Sequence, residues 1–219
     1  MKPNPFHPQF ESLPQSIPIF PLPGVILLPR AQLPLNIFEP RYLNMTLDAL
    51  GAGRMIGMIQ PDPARPDAPG GVYRTGCSGR ITAFSETEDG RLLIVLTGVC
   101  RFDVARELTP LRGYRRVQPA WSRFAGDLAE GDPSGIPKQE LLEAAEGFLR
   151  EKGVKPDLKA LGELSPEALV NALAMGFPVS PSEKQALLEA ATAAERAGVL
   201  LTLATLGTVP GDSSDATWH

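Results

Sequence analysis

Apolar positions recur with period two over the first 123 residues and with a helical period over the last third of the chain. Leu33, Leu35 and Ile37 alternate with Pro34 and Asn36, as a half-buried strand does. Met55-Ile56-Gly57-Met58-Ile59 is short, apolar and bounded by polar residues, which predicts a fully buried strand. From Val72 to about Trp121 the pattern is β throughout, and Glu88-Asp89-Gly90-Arg91 predicts the hairpin turn between Ile81-Phe84 and Leu92-Leu96. Within this stretch Cys100, Phe102 and Val104 share one strand face, with Arg101 and Asp103 on the other. The prolines in Ile17-Pro18-Ile19-Phe20-Pro21-Leu22-Pro23 confine any strand there to edges or bulges.

One helix interrupts this half. Pro40 suits the first turn, Leu43, Leu47 and Leu50 fall on one face, and Gly51 stands where a left-handed cap is wanted. Later come a helix from Pro137 to about Lys152 with the stripe Leu141, Leu142, Ala145, Phe148 and Leu149, and a second opened by Ser165-Pro166-Glu167. Ser180-Pro181-Ser182-Glu183 is a capping box, and Thr192-Ala193-Ala194-Glu195 repeats the signal before a last helix ending at Gly207. The expected organisation is therefore a loose Pro-rich tail (1–15), a β subdomain (16–123), a Gly/Asp/Ser linker (124–136), a helical subdomain (137–207) and a polar tail (208–219). The Pro-rich loop 61–71 reads as a mobile insertion of unassigned role.

Charge follows the same division. Residues 1–123 carry 14 Lys/Arg against 10 Asp/Glu, and residues 124–219 carry 7 against 15, within an overall charge of −4. That balance disfavours a generally basic nucleic-acid binder. The amino terminus is too polar and proline-rich for an export signal and no apolar run approaches a bilayer span, so a cytoplasmic location without membrane contact is expected.

Candidate chemistry is sparse. The two histidines, His7 and His219, sit in opposite tails, which removes an interior imidazole for a catalytic triad or a metal site. Cys77 and Cys100 are too few for a disulfide framework or a four-cysteine zinc site and read as reduced core residues. Gly51-Ala52-Gly53-Arg54-Met55-Ile56-Gly57 runs from helix into strand, the reverse of a dinucleotide-binding turn, and no phosphate-binding Gly-rich loop with Lys is present. No catalytic residue, cofactor or metal is expected. The arginines 101, 106, 112, 115, 116 and 123, interleaved with Phe102, Tyr114 and Trp121, are open to two readings: a track for a nucleic-acid backbone, or pairing with Asp103, Glu107 and the acidic helices.

Pro18-Ile19-Phe20-Pro21-Leu22-Pro23-Gly24 followed by Leu35-Asn36-Ile37-Phe38-Glu39-Pro40-Arg41-Tyr42 resembles the amino-terminal domain of Lon proteases. Gly76 to Ile81, the hairpin at Asp89-Gly90-Arg91, the stretch Leu96-Thr97-Gly98-Val99-Cys100-Arg101-Phe102 and the late helix Glu183-Lys184-Gln185-Ala186-Leu187-Leu188-Glu189 followed by Glu195-Arg196 are similar to later motifs of the same family, so the resemblance covers roughly 16–207. It implies an α+β fold, a PUA-like β-rich pseudo-barrel followed by a C-terminal helical bundle, and recognition of protein substrates. Where a full Lon continues into an ATPase and a Ser-Lys protease, this sequence stops, so it looks like a free-standing substrate-binding domain onto which no catalytic residue of the family can be carried.

The expected function is a non-enzymatic module that binds unfolded or extended polypeptide in a groove between barrel and bundle, with a separate protease as a further partner. Phe38, Tyr42 and Met58 are its candidate contacts by chemistry and position. For Glu39-Pro40-Arg41-Tyr42 the residues also allow a helix start with a buried Tyr42 and a paired Arg41. The alternative is an RNA-binding pseudo-barrel using Arg112, Tyr114, Arg115 and Arg116.

Overall fold

The computed structural model describes residues 8–64 and 71–207 of the chain. Six strands form one sheet: β1 (Ile17–Pro21), β2 (Gln32–Ile37), β3 (Met55–Ile59), β4 (Thr75–Glu86), β5 (Leu92–Leu111) and β6 (Tyr114–Ala120), in the spatial order β2-β5-β4-β3-β1-β6. A further pairing of β5 with β6 closes five of them into a barrel and leaves β2 attached outside the ring. Closure is possible because β5 is long. Its first half pairs with β4 and β2, and its second half, Asp103 to Leu111, pairs with β6 across two register shifts that bend the strand. All of these pairings are antiparallel except β1 with β3.

The barrel interior is filled by Ile17, Ile19, Met55, Ile59, Cys100, Phe102 and Val117. Phe102 is fully buried, and it fits because Gly57 and Gly76 carry no side chain: a Cβ would lie 2.9 Å and 2.8 Å from its ring atoms. Gly98 answers a second close approach, since a Cβ there would overlap the Leu28 carbonyl where the segment after β1 crosses β5 and bonds it through Arg30 N–H to Gly98 O (2.8 Å).

Helix α1 (Pro40–Gly51) forms where expected but turns a different face inward. Tyr42, Met45, Thr46 and Ala49 are buried, while Leu47 is exposed and Leu43 and Leu50 are only half-buried. Two apolar stripes share this helix. Tyr42 secures the inner one by packing on Phe20 (ring centroids 4.3 Å apart), and Thr46 is tolerated there because its hydroxyl donates to Tyr42 O (2.8 Å). The left-handed residues follow at Gly53 and Arg54, not at Gly51.

The C-terminal half holds α2 (Lys138–Glu151), α3 (Leu158–Glu163), α4 (Pro166–Gly176), α5 (Pro181–Glu189) and α6 (Ala193–Gly207). The α2 stripe of Leu141, Ala145, Phe148 and Leu149 is buried as its spacing predicts, and the capping box at Ser180 and Glu183 is formed. Helix α3 has no counterpart in the sequence reading; it is too short to show a period and depends on Asp157, whose carboxylate accepts from Ala160 N–H (3.0 Å).

Barrel and helices do not form two separate cores. One apolar cluster runs from Phe20, Ile26, Leu27 and Met58 through to Phe148, Leu169, Leu187 and Leu200. The expected linker is correspondingly not free along its length: Ser122–Leu128 form a 3-10 helix with Phe124 buried against the barrel core. The amino-terminal tail is likewise held in part, with Leu13 buried and Pro14 O accepting from Trp121 Nε1–H (3.1 Å). Residues 65–70 of the expected insertion, and residues 1–7 and 208–219 of the tails, lie outside the described residues.

Candidate functional site

Strand alternation placed Arg101 on an outward face, and that face is covered. Arg101 is 3% exposed, beneath the carboxyl end of α5. Its guanidinium donates twice to Asp127 (Nε to Oδ2 2.9 Å, Nη2 to Oδ1 2.7 Å), and its remaining donors reach Leu188 O (3.0 Å), Ala190 O (2.5 Å) and Ala191 O (3.1 Å). All five N–H groups of the fork are thereby engaged. The cation faces the carbonyl end of a helix, where the helix dipole favours it, and lies over the Phe124 ring at 4.5 Å.

Other buried polar side chains stitch the same junction. Gln60, fully buried on the barrel side, donates to Pro181 O (2.9 Å) and to Gln185 Oε1 (3.1 Å); Gln185 donates back to Thr75 O (3.1 Å). Asn171 on α4 donates to Pro29 O (3.1 Å). Arg30 is a non-glycine residue with φ of 66°, and it joins three elements by donating to Asp127 O, Ala129 O and the Glu167 carboxylate (2.9, 3.0 and 2.5 Å). Such a backbone costs on the order of 1–3 kcal/mol and persists where surrounding contacts hold it.

Two depressions meet at Arg30, Glu167 and Asn171. The first is a groove of about 590 Å³ between β2 and α4, lined by Leu33, Pro34, Leu164, Ala168, Ala172 and Met175 among others. Its β2 wall is a sheet margin: among the described residues, that strand pairs only with β5. The second is a polar cleft of about 290 Å³ between the 3-10 helix at 122–128 and the start of α6, with Arg30, Arg101, Arg123 and Arg196 on its wall.

The residues nominated from sequence fall in different places. Phe38 is 63% exposed, just beyond the end of β2. Tyr42 and Met58 are not available to a partner in this arrangement: Tyr42 lies in the α1 core face with its hydroxyl pKa raised by burial, and Met58 is buried in β3. Tyr42 is taken into the core because α1 turns that face to the barrel, where it packs on Phe20. Glu39-Pro40-Arg41-Tyr42 is a helix start in which Glu39 pairs with Arg41 at 2.8 Å.

The alternative basic set does not present a free surface either. Tyr114 is buried, with its hydroxyl donating to Asp48 (3.0 Å) and its pKa raised by burial and then by that carboxylate, so it is not placed to stack a base. Arg112 pairs with Asp48, and Arg115 donates two bonds to Glu107. Arg116 donates to Thr109 O. Of the six arginines, Arg115 pairs with Glu107 and Arg123 with Asp103 as the pairing reading expects, whereas Arg101 and Arg112 take Asp127 and Asp48, and Arg106 and Arg116 bond the Gln118 side chain and Thr109 O. Sequence reading assigns no site role to Arg30, Gln60, Asp127, Gln185 or Arg196, the last two being named only within family-like motifs, because their roles depend on partners as far as 137 residues away along the chain.

Over residues 16–205 the chain matches the model of the ATP-dependent protease La (LON) substrate-binding domain. It is 30% identical over 209 residues to Lon protease 2 of Sorangium cellulosum and 25% identical over 197 residues to Lon protease 2 of Myxococcus xanthus, each match covering 88% of this chain and 24% of the relative. The chain thus spans about a quarter of the length of these relatives. Among solved structures it is similar to a Lon N-terminal domain protein from Xanthomonas campestris (TM-score 0.56, 26% identity, 85% of this chain and 97% of that one). The N-terminal domain of a Mycobacterium avium complex Lon protease shares the fold (TM-score 0.63, 15% identity, 87% and 98%). With a mixed six-stranded sheet, five of whose strands close into a barrel, a helical half packed on it and a family match across nearly all of the described residues, the chain belongs to the Lon substrate-binding domain family.

Proposed function

We propose that this chain is a non-catalytic module that holds extended or unfolded polypeptide in the groove between β2 and α4, as an adaptor that presents it to a separate protease. The observation that carries this reading is the groove itself. An open sheet margin faces a helix across a trough of half-buried aliphatic side chains, so a guest chain finds apolar contact and unpaired backbone groups together. Met175 supplies a flexible, polarizable wall suited to varied side chains. Pro34 lacks an N–H, so the margin gives an interrupted ladder, and recognition rests more on the trough than on a continuous run of backbone bonds.

The state of the nucleophile candidates supports a non-catalytic role. Burial pushes the Cys77 thiol well above its usual range and the Cys100 thiol up to about 12, so neither is a thiolate at neutral pH. Lys184 and Lys138 are held by the carbonyl ends of other helical segments: Lys184 donates to Ala174 O and Met175 O (2.9 and 2.6 Å), and Lys138 to Gly162 O and Leu164 O (2.7 and 2.6 Å). No helix among the described residues is long and apolar enough to cross a membrane.

The test is binding of one carrier protein in its native and its reduced, alkylated form, measured by fluorescence anisotropy. The unfolded form is expected to bind and the native form not. Ala172→Asp, which places a charge in the trough, is expected to weaken binding by about tenfold or more. Equal binding of both forms, or an Ala172→Asp variant that binds as well as the parent, removes the proposal.

A further inference from the structure

Two arginines are buried side by side at the junction, and their electrostatic situations differ. Arg101 has a carboxylate and a partner for every donor. Arg196, at 4% exposure, has none of the first and few of the second. Its Nε–H donates to Leu187 O at 2.8 Å, but Nη1 reaches Asn171 Oδ1 and Nη2 reaches Ala190 O only at 3.4 Å each. Three of five N–H groups are thus engaged, two of them weakly.

Four acids line the cleft beside it: Asp127, Glu130, Asp132 and Glu167. None forms an ion pair with Arg196; Asp127 is taken by Arg101, Glu167 by Arg30, and Asp132 accepts from Ser134 N–H. Burial, and next the neighbouring Arg101, bring the Arg196 pKa down to about 10 against a smaller opposing pull from Asp127 and Glu167, which still leaves a full positive charge at neutral pH. A buried cation without a counter-ion is costly unless a partner arrives. Arg196 lines the cleft, and Arg123, half-exposed, stands on the same wall over the Phe124 ring, its only carboxylate contact among the described residues a long one to Asp103 (3.4 Å).

We propose that this cleft is a carboxylate-binding site in which Arg196, assisted by Arg123, holds the carboxylate of a polypeptide lying in the adjoining β2–α4 groove. A carboxylate offers the flat, two-oxygen acceptor that a guanidinium matches, and a bound carboxylate supplies the missing negative charge where the dielectric is low. Because cleft and groove share Arg30, Glu167 and Asn171, one extended chain can occupy both, with aliphatic residues in the groove and its anionic group in the cleft. The inference rests on the groove reading for the identity of the guest, though not for the anion itself. The carboxylate has two sources, a chain terminus or an Asp/Glu side chain.

The first measurement uses acetate alone, titrated into the full chain at fixed ionic strength while the arginine Nε–Hε resonances are followed by NMR. A saturable displacement of the Arg196 resonance is expected; its absence, or a drift equal to that produced by chloride, overturns the site. The second uses three acetylated octapeptides of Ala and Leu: one with a free terminal carboxylate, one amidated, and one amidated with a single internal Glu. The plain amide is expected to bind about tenfold or more weakly than the better of the two carboxylate peptides, and which of those is better identifies the source. Equal affinity for all three overturns the proposal.

Arg196→Gln is expected to abolish the difference between the peptides. Should that buried variant fail to fold, Arg123→Gln, at the more exposed position, is expected to shrink the preference, and an unchanged preference there counts against the site. Saturable acetate binding with no peptide binding would discard the groove reading and keep the cleft.

Discussion

The interior of the barrel and its junction with the helices are both buried, yet they are built from opposite materials. Inside the barrel, Phe102 is packed among Ile17, Ile19 and the bare backbones at Gly57 and Gly76, and shape complementarity does nearly all the work. At the junction, Gln60, Arg101, Asp127, Asn171, Gln185 and Arg196 are joined by hydrogen bonds, and two depressions open beside them. A close-packed apolar core tolerates no ligand, whereas a polar seam fixes one relative placement of two halves and places charged side chains along a cavity wall. The proposed recognition site is accordingly at the seam, and the close-packed apolar fit is in the barrel.

The two largest expected effects are of similar size and differ in kind. Phe102→Ala removes the ring that fills the barrel and is expected to cost about 3–5 kcal/mol of unfolding free energy by denaturant titration. Because the barrel strands depend on it together, amide hydrogen exchange should accelerate throughout β1, β3, β4 and β5. Asp127→Ala strands the buried Arg101 cation, also at a cost of about 3–5 kcal/mol. Its exchange signature should concentrate in α5 and α6 and spare the barrel. If both variants give the same exchange map, the two regions are one cooperative unit and the contrast fails. Replacing the pair together, as Arg101→Met with Asp127→Leu, should recover most of the loss, since a packed apolar pair can match a buried ion pair.

A smaller effect comes from pH. Burial lowers the Lys184 pKa from 10.5 to about 8, so between those values the unfolded chain holds more of this proton than the folded one. The contribution to stability therefore rises as pH increases from about 8 towards 10.5 and is lost as pH falls through 8. The stability difference between the parent and Lys184→Met should move in the parent's favour across that window, and a flat difference would show that the seam is not dry at Lys184. The neutral amine keeps two N–H donors, enough for Ala174 O and Met175 O. Least of all, Ser180→Ala should cost about 0.5–2 kcal/mol by removing the α5 cap, without altering either depression.

Strand and helix identities were readable because each is a local periodicity with local punctuation. The hairpin at Asp89-Gly90-Arg91, the buried strand β3, the α2 stripe and the capping box at Ser180 all rest on residues within a turn or two of one another. What periodicity does not contain is which of two faces another element covers. Leu43, Leu47 and Leu50 formed as regular a stripe as Tyr42, Met45 and Ala49, and only contact with Phe20 on β1 decides between them. The partner of Arg101 is open in the sequence for the same reason: alternation puts it on the face opposite Cys100, and the helix that covers it lies 87 residues further on. The candidate site is made wholly of such distant meetings, and local pattern could not show that Tyr42 and Met58 turn into the core.

The proline at the centre of β2 has a consequence beyond the shape of the trough. A sheet margin that gathers sticky, partly folded chains is also a template on which such chains could stack into a fibre. With no donor at Pro34, a guest strand laid along β2 meets a gap after a few backbone bonds, and the next copy inherits no continuous ladder to extend. The geometry thus permits capture of one chain at a time while withholding the seed for growth.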